Sequence, residues 1–101
     1  MRLKFSHRAE ADLEQIADYV AQDSPNAAFL LVRRLRDRCE DLLSRPHASP
    51  LWSEHPEKAL RRRVVGNYLI FYMVEHDTVH VTRISHGARD LRRLFDDPTQ
   101  G

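Results

Sequence analysis

The apolar residues of this chain change period in mid-chain, and that change limits the available folds more than any other feature. From residue 9 to 43 they recur every three or four positions, and from 60 to about 81 they recur every two. The first spacing belongs to helices buried along one stripe, the second to strands. A short alternating stretch, 2–5, with Leu3 and Phe5 on one side, reads as a first strand. Ser6 or His7 can cap a helix whose stripe is Ala9, Leu13, Ile16, Ala17 and Val20, with Glu10, Asp12, Glu14 and Asp18 on its other faces. Ser24-Pro25 restarts the helical pattern, a capping serine followed by proline at the first helical position. The second stripe is Ala28, Leu31, Val32, Leu35, Cys39, Leu42 and Leu43, and it predicts a helix to about Ser44, stopped by Pro46.

Residues 45–58 hold three prolines and Trp52 and read as a loop that Trp52 anchors on the core. Three strands follow, at 60–65, 68–74 and 78–85, joined by turns at Gly66-Asn67 and 75–77. The middle one, Tyr-Leu-Ile-Phe-Tyr-Met-Val, is apolar on both faces and so is expected at the centre of the sheet. In the last, Val79 and Val81 are followed by Ile84, a slip of phase near Arg83 that a bulge or strand end explains. A short helix from 88 to about 95 closes the order β-α-α-β-β-β-α. The class is α+β: an N-terminal helical hairpin packed on one face of a small antiparallel sheet, with a short C-terminal helix, all in a single domain, 1–101. The other sheet face is expected to stay more open, with Arg61, Arg63, His80, Arg83 and His86 along it or its edge. Tyr19, Tyr68 and Tyr72 are expected in the core or on the sheet.

Charge and cysteine content exclude several functions. Sixteen basic and fifteen acidic residues leave a net charge of +1, so bulk charge does not call for nucleic acid or a membrane surface. The single cysteine, Cys39, excludes a disulfide framework and any multi-thiolate metal site, and its place in the helical stripe makes it a buried structural thiol. The first seven residues lack a signal peptide's apolar run, and no stretch reaches about 18 apolar residues, which predicts a cytoplasmic protein without membrane contact. Neither cofactor nor metal is expected, since His76 and His80 lack a recognised ligand spacing. Ser85, His86 and Asp90 match a hydrolase trio in composition only, because adjacent strand residues point to opposite faces.

The arginines are more informative. Of the sixteen basic residues only Lys4 and Lys58 are lysines, leaving fourteen arginines. Arg61 and Arg63 share one face of their strand, and Arg62 takes the other with Leu60 and Val64. They are candidates to grip phosphates or a partner's carboxylates, or to protect a sheet edge with charge. Arg83, His86, Arg89, Arg92 and Arg93 form a second cluster across the last strand and the C-terminal helix. His86, at a strand terminus among arginines, is a candidate general acid or base.

Together these segments resemble a known family. Ala11 to Val20, then Ser24-Pro25-Asn26-Ala27-Ala28, is similar to the N-terminal helical hairpin of the RelE/ParE toxin superfamily. Leu60-Arg61 and Gly66-Asn67-Tyr68-Leu69-Ile70-Phe71-Tyr72 resemble its sheet, and Arg83-Ile84-Ser85-His86-Gly87-Ala88-Arg89-Asp90, followed by Leu94-Phe95, resembles the ParE branch in particular. The resemblance covers about residues 1–95. It implies the toxin half of a type II toxin–antitoxin pair, neutralised by a small antitoxin that folds as it binds, in a hetero-oligomer that meets DNA only through the antitoxin. ParE-like members inhibit DNA gyrase, whereas RelE-like members cut mRNA on the ribosome, and one fold serves both.

Ribonuclease chemistry needs a proton donor, an acceptor and positive charge at the phosphate. Arg61, Arg83, His86 and Arg89 are the candidates for that work. RelE-type enzymes often carry a tyrosine near the C-terminus, and at the matching place this chain has Phe95, which cannot transfer a proton. The expected function is therefore gyrase inhibition without catalysis, through a surface including Arg61, Arg63, Arg83, His86, Arg89, Arg92, Arg93 and Phe95. The alternatives are a metal-independent, ribosome-dependent mRNA endonuclease and a toxin-like chain that has lost its toxicity. Arg89 and Asp90 can also simply pair within the last helix.

Overall fold

The computed structural model describes residues 1–87. The expected C-terminal helix, with Arg89, Asp90, Arg92, Arg93 and Phe95, lies outside the described residues. The elements are β1 (Arg2–Phe5), α1 (His7–Ala21), α2 (Pro25–Asp41), a 3-10 turn (Pro56–Lys58), β2 (Arg61–Val65), β3 (Tyr68–Glu75) and β4 (Thr78–His86). Ser6 is the cap of α1: its hydroxyl accepts from the Ala9 amide at 3.0 Å and donates to the Thr82 carbonyl at 2.7 Å, tying the helix start to β4. Ser24 caps α2 through the Ala27 amide at 3.1 Å, with Pro25 just inside. The second helix ends at Asp41, and turn-type bonds carry the chain through 42–45 to Pro46.

The sheet order is β1-β4-β3-β2. The last three strands form the expected antiparallel meander with β3 inside it. β1 adds beside β4 in parallel, Arg2 opposite Thr78 through Phe5 opposite Val81, so the sheet is mixed. Parallel entry follows from the path: the chain leaves β1 into a helical hairpin and returns at the far edge. The phase slip is a bulge. Phe71 pairs with Arg83 and Tyr72 with Val81, leaving Thr82 as the extra residue, whose hydroxyl donates to the Phe71 carbonyl at 3.1 Å. The bulge lets Val79, Val81 and Ile84 all reach the same core.

That core lies between hairpin and sheet. Ala9, Leu13, Leu35 and Cys39 from the helices and Leu42 just past α2 meet Val65, Ile70, Tyr72, Val79, Val81 and Ile84. Burial pushes the Cys39 thiol up to about 12, against the pull of Arg63 and Arg36. Across the hairpin, Arg36 forks onto Glu10 at 2.9 and 3.1 Å and holds its carboxyl below the usual range.

The opposite sheet face is not the open, basic surface the sequence suggested. Trp52, Leu60, Leu69 and Phe71 form a second buried cluster there, with Met73 against it. The Trp52 ring lies 5.1 Å from Phe71 and 4.7 Å from His55, and its amide donates to the Leu60 carbonyl at 2.7 Å. The two-sided apolar character of β3 is the reason: with the hairpin on one side, the loop must cover the other. The loop is thus anchored by Trp52 as expected. Tyr72 is fully buried, but Tyr19 is 72% exposed and no part of the core. No helix among the described residues is long and apolar enough to cross a membrane.

Candidate functional site

The described candidate residues fall into two groups on either side of β3. Arg61 and Arg63 share the helix-covered side of β2, opposite Tyr72 and Ile70, and both are half-buried. Arg61 Nη1 donates to the carbonyls of Ser49 at 2.7 Å and His47 at 3.3 Å. The Tyr72 hydroxyl donates to the Pro46 carbonyl at 3.0 Å. Two side chains from the sheet thus collect three carbonyls of the proline-rich loop, which has no ladder of its own to satisfy them. Arg63 Nη1 donates to the Arg38 carbonyl at 3.0 Å, in the last turn of α2, where the helix dipole favours a cation. Both arginines therefore spend donors on holding loop and helix end in place.

Arg83 and His86 stand on β4, two strands and about 10 Å from the β2 pair. Arg83 does not line an open face. Its Nε donates to Asp12 Oδ2 at 2.9 Å and its Nη2 to Asp12 Oδ1 at 3.0 Å, with side chains 11% and 9% exposed. Asp12 Oδ2 also accepts the Ile84 amide at 2.9 Å. The register explains why. β1 stops pairing at Val81, so beyond it β4 has no strand neighbour on that side among the described residues. Ser6 and Asp12 of the helical segment stand in for the missing rungs, one meeting the Thr82 carbonyl and the other the Ile84 amide.

Asp12, which the sequence reading puts on a face of α1 away from the apolar stripe, is instead a buried carboxylate. A signal existed: Ala9, Asp12, Leu13 and Ile16 follow i, i+3, i+4, i+7 spacing, so Asp12 lies on the buried face.

His86 ends β4 edge-on to Tyr68, with ring centres 5.0 Å apart. Its Nδ1 is buried and meets no hydrogen-bond partner among the described residues. Burial raises the Tyr68 hydroxyl above its ordinary range, making it a poorer proton donor at neutral pH. The Ser85 hydroxyl donates to the Gly87 carbonyl at 3.2 Å. Among the described residues no three His, Cys, Asp or Glu side chains converge as a metal site would require.

The comparisons agree with this architecture. The family model described as "ParE toxin of type II toxin-antitoxin system, parDE" matches residues 3–91. The chain belongs to the ParE toxin family. A relative from Caulobacter vibrioides, Toxin RelE2, is 38% identical over 82 residues, 81% of this chain and 90% of the relative. A solved structure titled "Chromosomal ParDE TA system from P. aeruginosa" is similar in fold, with a TM-score of 0.76 and 24% identity over 87% of this chain and 97% of that one. In this ParE-family toxin the signature segment from Arg83 begins with an arginine fastened to α1, and the described part of the segment ends at Gly87, at φ +70.

Proposed function

We propose that this ParE-family toxin acts by binding DNA gyrase and carries out no RNA cleavage, and that a cognate antitoxin neutralises it in the cytoplasm by covering its working surface. The observation that carries this reading is the Asp12–Arg83 pair. A guanidinium gripped at both ends by a buried carboxylate is poorly placed to stabilise a phosphorane, because its charge is already compensated and its donors are aimed inward. Arg61 and Arg63 are likewise directed to backbone carbonyls. Of the four ribonuclease candidates only His86 is not an arginine, and its neighbour Tyr68 has a hydroxyl that burial makes a poorer proton donor.

In this reading Arg61, Arg63 and Arg83 act from behind, by fixing the loop, the end of α2 and the bulged end of β4. Contact with the target falls to His86 and to the segment bearing Arg89, Arg92, Arg93 and Phe95. A protein-binding surface needs aromatic and arginine anchors more than a proton relay.

The test is DNA supercoiling by purified gyrase with the protein added, run beside mRNA cleavage on programmed ribosomes from the same preparation. Loss of supercoiling or trapped double-strand breaks with intact mRNA is expected, and Arg89→Ala should weaken it. Cuts in ribosome-bound mRNA with normal gyrase activity would overturn the reading and return His86 and Arg89 to catalysis.

A further inference from the structure

The α2 helix turns a charged face to solvent whose order helix stability does not explain. Arg33 and Arg36 precede Asp37 and Glu40. Positive charge thus lies toward the N-terminus and negative toward the C-terminus, against the helix dipole. It also reverses the acid-before-base order that strengthens pairs four residues apart. With Phe29 and Val32 these four side chains line one groove of about 610 Å³. Phe29 is 64% exposed and its neighbour Leu30 53%. Arg36 is held by Glu10, but among the described residues no hydrogen bond or ion pair engages the side chains of Arg33, Asp37 or Glu40.

Read backwards, this charge order is its own complement. When a second copy of α2 is laid antiparallel across the first, with a two-fold axis between residues 36 and 37, Arg33 falls opposite Glu40 of the second copy and Arg36 opposite its Asp37. By symmetry both pairs occur twice, as an isologous contact requires. The helix dipoles then also oppose each other, and each Phe29 lies over the C-terminal end of the facing helix. A parallel arrangement would set arginine against arginine and acid against acid. We infer that the chain self-associates through α2 as an antiparallel two-fold dimer. The 17-residue helix spans only about 25 Å, which places the contact below the roughly 1,200 Å² of stable complexes. The dimer should therefore be weak, dependent on concentration and loosened by salt.

Sedimentation velocity on the full chain, from about 1 to 200 µM, tests this in the range expected of a weak contact. The expected result is a monomer–dimer equilibrium at low salt that shifts to monomer as salt rises. Arg33→Glu alone and Glu40→Arg alone should each be monomeric, since each sets like charges across the axis. An equimolar mixture of the two variants should dimerise, and so should the doubly substituted chain, because both restore opposite pairs. Far-UV circular dichroism checks that each variant is folded. A wild-type monomer across the whole range would overturn the inference. So would a dimer indifferent to both single substitutions, or a failure of the mixture and of the double variant to re-associate.

Discussion

Replacing the buried Asp12 by alanine should cost more than replacing any exposed residue of α1 by alanine. The carboxylate accepts three hydrogen bonds, two from Arg83 and one from the Ile84 amide, and both partner side chains are about nine-tenths buried. Removing it breaks a buried ion pair, for which measured losses run to about 3–5 kcal/mol. The orphaned Ile84 amide is worth a further 1–3 kcal/mol or so in isolation. The two losses share one carboxylate and will not simply add, so about 3–5 kcal/mol is the expected total. Against a domain stability of about 5–15 kcal/mol, that is a large share, and it lowers the midpoint of thermal unfolding by roughly 15–30 °C. Urea denaturation followed by far-UV circular dichroism measures it directly, provided the transition stays two-state.

A second variant separates charge from packing. Asp12→Asn with Arg83→Met keeps an oxygen to accept the Ile84 amide and removes both charges. Replacing a buried ion pair by neutral groups is often close to neutral, so the double variant should regain most of the loss. If Asp12→Ala costs less than about 1 kcal/mol, or if the double variant is no more stable than the single one, the account of a desolvated pair completing the edge of β4 is wrong.

Three further outcomes follow from the packing. Trp52→Ala should cost about 3–5 kcal/mol in urea denaturation and open residues 45–58 to proteolysis, since Trp52 is the centre of the second cluster; a loss under about 1 kcal/mol would mean the loop is not held by the core. The Glu10 carboxyl is lowered by Arg36 in the folded state, so its contribution is present above the ordinary carboxylate value and disappears as pH falls through the lowered one. With side chains 43% and 48% exposed the pair is worth under about 1 kcal/mol, and the stability gap between wild type and Glu10→Gln should close at acid pH and in high salt. Cys39, fully buried and pushed up to about 12, should resist iodoacetamide at about pH 8 until the chain unfolds, as read by intact mass; rapid alkylation of folded protein would contradict its burial.

The hairpin, the Ser24 cap and the meander were legible in the residues, while the first cap (Ser6 or His7) and the phase slip (bulge or strand end) were narrowed to two readings each that the structure decided. Each is written in neighbours within one or two turns or within a strand pair: Ser24-Pro25 before a helical stripe, Gly66 at φ +59 between two strands, one residue too many between Val81 and Ile84. At the candidate site the residues reveal which side chains are basic but not what those side chains bind. Arg61, Arg63, Arg83 and His86 were marked as basic, and only their surroundings show that three of them bind carbonyls or a carboxylate.

The physical reason is sequence distance. Periodicity, capping and turn chemistry act over a few residues, so α1, α2 and the antiparallel strands, and with them the layered class, follow from the order of amino acids alone. Asp12 meets Arg83 across 71 positions. Trp52 reaches Phe71 from a loop that has no periodicity of its own. β1 finds β4 only once the chain has travelled through both helices. No local pattern encodes these contacts. They exist because, once the layers close, an unpaired strand edge and an uncovered apolar face must each be satisfied by whatever the chain has brought beside them.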